Sequence, residues 1–346
     1  MQHEVTARQP LLDSRGHITE EGWARKPVWQ YDRSMIHAGK LRIKEWDYYA
    51  FTSFKGKWTI ALTLSDLGYG ALFAIAFIDY KRKKFAQTDD MKLFTLLHTG
   101  FAPTSTEDNQ VTLSSEKLRL AFIKRGNIRH LVFGAPGLVL PDGSVGIDGN
   151  VTLTQDPGME TMNIATSWPK NRKAFYLNEK VNCMPASGTV RLGDNEITLE
   201  DGDVWGVLDW GRGRWTYQNR WYWGSASGLV DGVPFGFNIG YGFSDRTPAS
   251  ENVIFYDGKA YKLDQVDFGI PGSGYEDPWH MTSSDKRFEM TFEPAVDRHS
   301  KTDLLLIKSV QHQVFGYFTG DAVLNQEKVI HLDAFPGFAE DVFNRW

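Results

Sequence analysis

Cysteine is almost absent from the sequence: Cys183 is the only one in 346 residues. A disulfide framework and a cysteine-based zinc site are therefore excluded, and a lone thiol is most often a packed, unreactive side chain. Long hydrophobic runs are also lacking, since the longest, Ala71 to Ile78, is too short to cross a bilayer. The N-terminus has no basic segment followed by an apolar stretch, as a secretory signal would have. These absences predict a cytoplasmic protein without an integral membrane segment.

Positive charge is not in excess either. The net charge of -5 and the isoelectric point near 6.0 argue against nucleic acid as a partner. The motifs GxxxxGK[ST] and HExxH do not occur, and the elbow-like segment 224–228 has Ala226 where a nucleophilic serine would stand. The histidines are scattered without the spacing of metal ligands. We therefore expect no metal, no cofactor and a small-molecule partner, and the sequence leaves a homodimer open.

Aromatic residues are abundant instead, at 14% of the chain, together with 33 glycines. Trp58, Ile60, Leu62 and Leu64 occupy every second position, which is the period of a strand with one buried face. Turn residues separate many such strands, and Asp257-Gly258 is a typical two-residue hairpin signal. No segment is long enough for a crossover helix, which disfavours a parallel α/β sheet. The sequence therefore predicts an all-β fold.

Both halves of the chain show the same sequence pattern of short strands separated by turns. We expect an N-terminal arm at residues 1–40, a first β-barrel or sandwich at 41–175 and a second at 176–346. The expected architecture is thus a duplicated pair of antiparallel barrels or sandwiches with few short helices.

Tryptophan is concentrated in one segment, because five of the twelve lie between residues 205 and 223. A core rarely needs so many of its largest side chains in one stretch, and interleaved charges suit a lined ligand pocket. The alternative is a packed aromatic core in which arginines stack on the rings. With Asp209 as a candidate catalytic acid, the candidate ligand-binding residues are Trp205, Trp210, Arg212, Trp215, Tyr217, Trp221 and Trp223.

A second group of candidates lies in the segment 42–49. On a strand, Glu45 and Asp47 share one face, and Trp46 and Tyr48 share the other. Two carboxylates in a barrel interior raise the pKa of one of them, so either could act as a catalytic proton donor. Alternatively, both carboxylates pair with nearby cations. The remaining candidate ligand-binding residues are Trp46, Tyr48, Asn238, Glu251 and the mid-strand His312.

Four blocks of sequence together resemble a known family. The blocks are Lys44 to Tyr49, Asp209 to Gly213, Glu251 to Gly258, and Gly337 to Trp346. Their combination is fairly specific, and it is similar to the family called domain of unknown function 2804 over essentially the full length. The family name implies little about chemistry.

A more distant resemblance is to the carotenoid hydratases and hydroxyneurosporene synthases, through Trp210-Gly211 and Trp221-Tyr222-Trp223-Gly224. It implies duplicated lipocalin-like (calycin) barrels that protonate a double bond of an apolar, often isoprenoid, ligand. In those proteins an acidic residue precedes the Trp-Gly pair by a few positions, whereas here Asp209 is immediately adjacent. Strand alternation turns Asp209 away from its neighbours, so Glu45 and Asp47 stay open as the acid.

The leading functional hypothesis is an enzyme that holds an apolar or amphipathic molecule in an aromatic cavity. Acid–base chemistry there would give hydration, isomerisation or cyclisation. One alternative is a carbohydrate-active enzyme, hydrolase or lyase, with tryptophan platforms and paired carboxylates, either Glu45 with Asp47 or Asp209 with Glu251. The other alternative is a lipocalin-like binder without turnover.

Overall fold

The computed structural model describes residues 2–304, 307–325 and 328–345. The chain begins with an arm whose elements are β1 (Gln9–Pro10), β2 (Gly22–Ala24), β3 (Trp29–Gln30) and two 3-10 helices, Arg33–Met35 and Lys40–Arg42. Strands β1 and β3 pair in parallel, and β2 pairs with a strand of the first large sheet. Leu11, Val28 and Trp29 are buried in the core of that sheet. The arm is therefore part of the first core.

The first large sheet has the strand order β7-β6-β5-β4-β15-β13-β11-β10-β9-β8, and β12 and β14 pair with β13. Neighbouring strands along this order are antiparallel. The bounds are β4 (Ile43–Ser53), β5 (Trp58–Asp66), β6 (Gly70–Asp79), β7 (Lys84–Leu93), β8 (Asn109–Ser114), β9 (Arg119–Arg125), β10 (Ile128–Val139), β11 (Val145–Thr154), β12 (Met162–Trp168), β13 (Asn171–Leu192), β14 (Asn195–Thr198) and β15 (Val204–Arg214).

The second large sheet has nine strands in the order β19-β18-β17-β16-β24-β23-β22-β21-β20. Its strands are also antiparallel. The bounds are β16 (Gln218–Val230), β17 (Val233–Tyr241), β18 (Val253–Tyr256), β19 (Lys259–Lys262), β20 (Val266–Asp267), β21 (Trp279–Ser283), β22 (Phe288–Leu304), β23 (Ile307–Val323) and β24 (Val329–Arg345).

Each large sheet is curled and encloses its own apolar core on one face. Side chains alternate between the two faces of a strand, so every second residue points away from that core. Outward-facing residues of both sheets form a further buried cluster that includes Tyr48, Val207, Trp223, Phe315 and Phe338. We call this layer the seam: it is where the outer faces of β4 and β15 meet those of β16, β23 and β24.

The prediction of an all-β fold with few short helices is confirmed, since the described residues contain only the two 3-10 helices of the arm. The sheets divide between Arg214 and Gln218, whereas the expected boundary at 175/176 falls inside β13. Strand β13 pairs with β11, β12 and β15, which all belong to the first sheet. Because β13 extends from Asn171 to Leu192, the first sheet continues beyond residue 175. In the described part of the chain, no helix is long and apolar enough to cross a membrane.

Candidate active site

Asp209 lies on the face of β15 that points into the seam. Its Cα partners are Tyr48 on β4 and Lys180 on β13. The adjacent residues Leu208 and Trp210 belong to the first core on the opposite face, as strand alternation requires. Asp209 therefore lies in the seam, and the indole of the adjacent Trp210 lies in the first core.

A buried cation holds Asp209. Lys180 Nζ lies 2.8 Å from Asp209 Oδ2 and 3.8 Å from Glu251 Oε2, and it stands 4.0 Å from the centroid of the Trp223 ring. Asn178 Nδ2 donates to Asp209 Oδ1 at 2.6 Å. All five side chains are buried. A buried carboxylate requires such partners, and Lys180 and Asn178 provide them for Asp209.

Glu340 on β24 is a second acid of the seam, and sequence analysis did not select it. Trp221 Nε1 donates to Glu340 Oε1 at 2.9 Å, and Gln313 Nε2 donates to Glu340 Oε2 at 3.1 Å. Burial raises the pKa of Glu340 from 4.5 to about 7; the Asp209 charge adds to this rise, and the Trp221 hydrogen bond and the Lys180 charge oppose it. A carboxyl group with this pKa can hold and release a proton near neutral pH.

The Glu340 carboxyl group continues into a chain of hydrogen bonds. Gln313 Nε2 also donates to Tyr48 Oη at 3.2 Å, and Arg298 Nη1 donates to Gln313 Oε1 at 2.6 Å. Arg298 Nε reaches Gln87 Oε1 on β7 at 2.7 Å. Burial raises the pKa of Tyr48 far above neutrality, so its hydroxyl group stays protonated. This chain orients the acid and joins the two sheets.

Asn238 and Glu251 support the indole of Trp223. Trp223 Nε1 donates to Asn238 Oδ1 at 2.7 Å, and Asn238 Nδ2 donates to the Glu251 carbonyl at 2.9 Å. The Glu251 carboxylate lies 3.7 Å from Arg246 Nη2 and also faces Lys180. The ring of Trp223 is therefore fixed on the side of the seam that carries the Lys180 charge.

A cluster of aromatic rings borders these polar groups. The ring centroids of Trp46 and Trp215, and those of Trp215 and Trp221, are each 5.5 Å apart. Phe243 stacks on Trp215 at 5.1 Å. Trp215 Nε1 is buried and has no hydrogen-bond partner in the part of the chain that is described, whereas Trp46 and Trp221 are half-buried. The cluster thus reaches from the interior to the surface.

Glu45 and Asp47 lie on the inner face of β4, away from the seam. Arg33 Nη2 lies 2.5 Å from Glu45 Oε2, and Arg212 Nη1 lies 3.0 Å from Asp47 Oδ1. Burial raises the pKa of Asp47, although the Arg212 charge opposes this. Both acids are ion-paired on the inner face, and the structure does not bring them together with Asp209.

Three further candidates also lie elsewhere. Trp210 packs in the first core, where its ring centroid is 4.2 Å from the Arg212 guanidinium carbon. Trp205 Nε1 donates to the Gly202 carbonyl at 3.0 Å. Tyr217 is exposed. Of the tryptophans between 205 and 223, Trp223 belongs to the seam, Trp215 belongs to a neighbouring buried cluster, and Trp221 packs against both.

His312 lies on the opposite face of the second sheet from Gln313. Its Nδ1 atom is 2.8 Å from Asp297 Oδ2, and its ring stacks on Tyr275 with centroids 4.0 Å apart. A cleft of about 540 Å³ runs beside this group, lined in part by Tyr275, Asp297 and His299. His312 is therefore a neighbour of a cleft and not a member of the seam.

Sequence reasoning missed Lys180, Arg298, Gln313 and Glu340. For Lys180 and Glu340 the available signal was a charged residue within a mostly buried stretch of strand, since such residues are rarely buried without a partner. Glu340 also stands in the C-terminal block on which the family resemblance rests. Among the described residues, no group of three or more His, Cys, Asp and Glu side chains is arranged to hold a metal ion.

The fold is similar to those of several solved structures. A protein from Nitrosomonas europaea provisionally named AttH aligns with a TM-score of 0.51 at 11% identity, covering 90% of this chain and 95% of that one. CghA aligns with a TM-score of 0.51 at 11% identity, covering 89% and 92%. Kievitone hydratase from Nectria haematococca gives a TM-score of 0.49 at 10% identity, covering 87% and 88%.

The alignments with the Nitrosomonas europaea protein and with CghA confirm the lipocalin-like fold. No curated protein matches the sequence significantly. A family model described as domain of unknown function (DUF2804) matches residues 2–346. The match includes all four sequence blocks that carried the resemblance. The protein therefore belongs to the DUF2804 family.

Proposed function

We propose that the seam binds an apolar or amphipathic small molecule, lipid- or isoprenoid-like, and that Glu340 transfers a proton to one of its double bonds. The observation that carries this proposal is the Glu340 carboxyl group, which is buried with a pKa of about 7. Its two hydrogen-bond donors, Trp221 and Gln313, are both neutral. A carboxyl group that is still protonated near pH 7 is suited to act as a general acid.

The first step, transfer of a proton to the ligand, requires only residues of the seam. Transfer of the Glu340 proton to a C=C bond forms a C–H bond and leaves a carbocation beside the Glu340 carboxylate. The face of Trp221 stabilises this cation, because aromatic rings attract positive charge; the Trp223 ring already contacts the Lys180 ammonium group. The Asp209 carboxylate adds a fixed negative charge in a site of low dielectric.

The fate of the cation determines the product class. Attack by water, with loss of a proton, gives hydration. Loss of a neighbouring proton to the Glu340 carboxylate gives isomerisation. Attack by a second double bond of the ligand closes a ring and moves the positive charge to another carbon, and loss of a proton next to that carbon to the Glu340 carboxylate then completes cyclisation. In each case a proton returns to Glu340 before the next turnover, either from the ligand or from solvent.

The ligand would enter on the side of the seam where Trp46 and Trp221 are half-buried. The aromatic rings there are in mutual contact, so ligand entry requires these side chains to move. The ligand would then lie against Trp221, whose indole N–H contacts the proposed acid. Apolar rings next to one proton donor favour a ligand with few polar groups.

The carbohydrate alternative receives less support. A glycosidase needs two carboxyl groups across an open groove, one on each side of the sugar bond. Asp209 and Glu251 are instead both buried and both near Lys180. Glu45 and Asp47 are each paired with an arginine.

The proposal is tested by proton incorporation from solvent. The full chain is incubated in D₂O with a panel of polyunsaturated isoprenoid and fatty-acid compounds, and mass spectrometry of the recovered compounds measures deuterium bound to carbon. The wild-type chain should label at least one compound, and Glu340→Gln should abolish the labelling because an amide donates no proton to carbon. The matched control is Glu196→Gln, a change at an exposed glutamate, and it should label normally.

Two outcomes would count against the proposal. Equal labelling by the wild-type chain and Glu340→Gln would remove Glu340 as the acid. A compound that binds tightly but takes up no deuterium would instead support the alternative of a binder without turnover. Isothermal titration calorimetry with the same compound measures whether it binds, independently of deuterium uptake.

A further inference from the structure

Five large apolar side chains are exposed together at one edge of the first sheet. They are between 38% and 80% exposed, and they make up half of the ten exposed large hydrophobic residues found in the described ranges. We call this group the apolar rim, and it consists of Leu41, Met91, Leu93, Phe94 and Leu96. Exposed apolar groups gathered in this way mark an interaction surface, whereas single ones are ordinary.

The apolar rim is assembled around the turn between β5 and β6. The Phe94 amide donates to the Tyr69 carbonyl at 2.8 Å, which ties the end of β7 to this turn. The 3-10 helix of the arm packs on the other side, where a Cβ atom on Gly68 would lie 3.0 Å from Leu41 Cα. Segments that are far apart in sequence therefore present their apolar side chains at one place.

The loop that carries Phe94 and Leu96 is held by defined contacts. Thr95 donates its hydroxyl group to Asp66 at 3.0 Å, and Thr99 donates to the same carboxylate. The backbone of Phe94 and Leu96 has positive φ angles of 58° and 48°. The Asp66 carboxylate is buried and accepts these two hydrogen bonds. It therefore does not face the rim.

Exposed cations outnumber exposed acids next to the apolar rim. Lys40, Arg42 and Lys92 are exposed, and the exposed acid Asp89 lies two positions before Met91. Burial and the Arg42 charge lower the pKa of Arg214, and the same two causes lower the pKa of Lys44 to about 7. Positive charge is thus crowded at this edge, although the whole chain has a net charge of -5.

We propose that the apolar rim inserts into the surface of a membrane that contains anionic lipid, with Lys40, Arg42 and Lys92 against the headgroups. Apolar side chains at the headgroup boundary and cations over anionic lipid are the two components of interfacial binding. A second copy of the chain fits this surface less well, because a symmetric contact would bring the same cations face to face. The inference is independent of the proposed chemistry, since the rim shares no residue with the seam.

Sedimentation with lipid vesicles tests this inference. The full chain should bind vesicles of phosphatidylcholine with about a third phosphatidylglycerol, bind pure phosphatidylcholine weakly, and dissociate at high salt. Leu93→Ser with Phe94→Asn should lower the ratio of bound to free protein by about tenfold or more, through loss of buried apolar area. Asparagine tolerates the positive φ at position 94, so this change does not strain the loop. The matched control is Val139→Ser with Val145→Ser, a pair of exposed apolar residues on β10 and β11, and it should bind like the wild-type chain.

The charge component has its own variant. Arg42→Glu with Lys92→Glu should abolish the preference for phosphatidylglycerol, and circular dichroism checks that each variant is folded. Absence of sedimentation by the wild-type chain, or equal loss in the rim variant and its control, overturns the inference. A dimer seen by size-exclusion chromatography with light scattering, and removed by the rim variant, would assign the rim to a second copy and also overturn it.

Discussion

The indole N–H of Trp221 donates to the carboxyl group of Glu340 across 2.9 Å, although 119 positions separate the two residues in the chain. Adjacent strands β16 and β24 bring them together in the seam. A neutral donor satisfies one carboxyl oxygen without supplying a full counter-charge, so burial still favours the protonated acid. Asp209 in the same layer is paired with the Lys180 ammonium group. An acid and an anion in one apolar layer form the arrangement that general acid catalysis uses.

The raised pKa of Glu340 predicts a specific dependence of stability on pH. Below about pH 4.5 both the folded and the unfolded chain hold this proton. Between pH 4.5 and about 7 the unfolded chain loses it while the folded chain keeps it, so the contribution of Glu340 to stability falls as the pH rises. The full loss above pH 7 is about 3 kcal/mol.

Comparison with Glu340→Gln isolates this contribution, because glutamine does not titrate and other groups titrate alike in both proteins. The free energy of unfolding, measured with urea between pH 4 and pH 8, should shift in favour of the variant by about 3 kcal/mol over this range. Glu196→Gln should show no such drift relative to the wild-type chain. A constant difference between wild type and Glu340→Gln would mean that Glu340 ionises normally in the folded state.

Removal of the seam cation should be strongly destabilising. Lys180→Met leaves the Asp209 and Glu251 carboxylates buried without the ammonium group that lies between them, and a broken buried pair costs about 3–5 kcal/mol. Lys55→Met is the matched control, because Lys55 pairs with Glu200 at 2.7 Å on the exposed surface. That change should have a much smaller effect in the same urea measurement, because solvent screens an exposed ion pair. Equal losses in the two variants would show that Lys180 does not compensate a buried charge.

The sequence predicted the fold well because strand patterning is a local property. Alternation at Trp58, Ile60, Leu62 and Leu64 is visible in eight residues, and these positions do lie on one strand, β5. The extent of the first unit was harder to predict, since β13 has 22 residues and continues past the expected boundary. The local sequence pattern does not show with which other strands a long strand will pair.

The site was predictable only in part, for the same reason. Alternation on one strand separates Asp209 from Trp210 without further information, and it places Tyr48 and Glu45 on opposite faces of β4. Which faces then meet depends on how the two sheets pack. Glu340 becomes an unusual acid only because that packing buries it beside Trp221, and a single sequence does not contain this relationship.

Amide substitutions at four acids separate catalytic from structural roles. Glu340→Gln and Asp209→Asn should remove or strongly reduce deuterium incorporation, because one loses the proton donor and the other loses the charge that stabilises the cation. Glu45→Gln and Asp47→Asn alter ion pairs with Arg33 and Arg212 on the opposite face, so they should lower stability and retain incorporation per folded molecule. The folded fraction of each variant is measured by circular dichroism. Loss of incorporation in folded Asp47→Asn, with full activity in Glu340→Gln, would move the site to the inner face of β4.

The pH dependence of turnover provides the most specific test of Glu340. Because the protonated form is the proton donor, kcat/KM for a labelled compound should be constant below the pKa of about 7 and fall about tenfold per pH unit above it. Asp209→Asn removes a charge that raises the pKa of Glu340 and leaves the opposing Lys180 charge unbalanced. The residual activity of this variant should therefore decline from a lower pH than the activity of the wild-type chain. An inflection that stays in place in Asp209→Asn would contradict Glu340 as the titrating group.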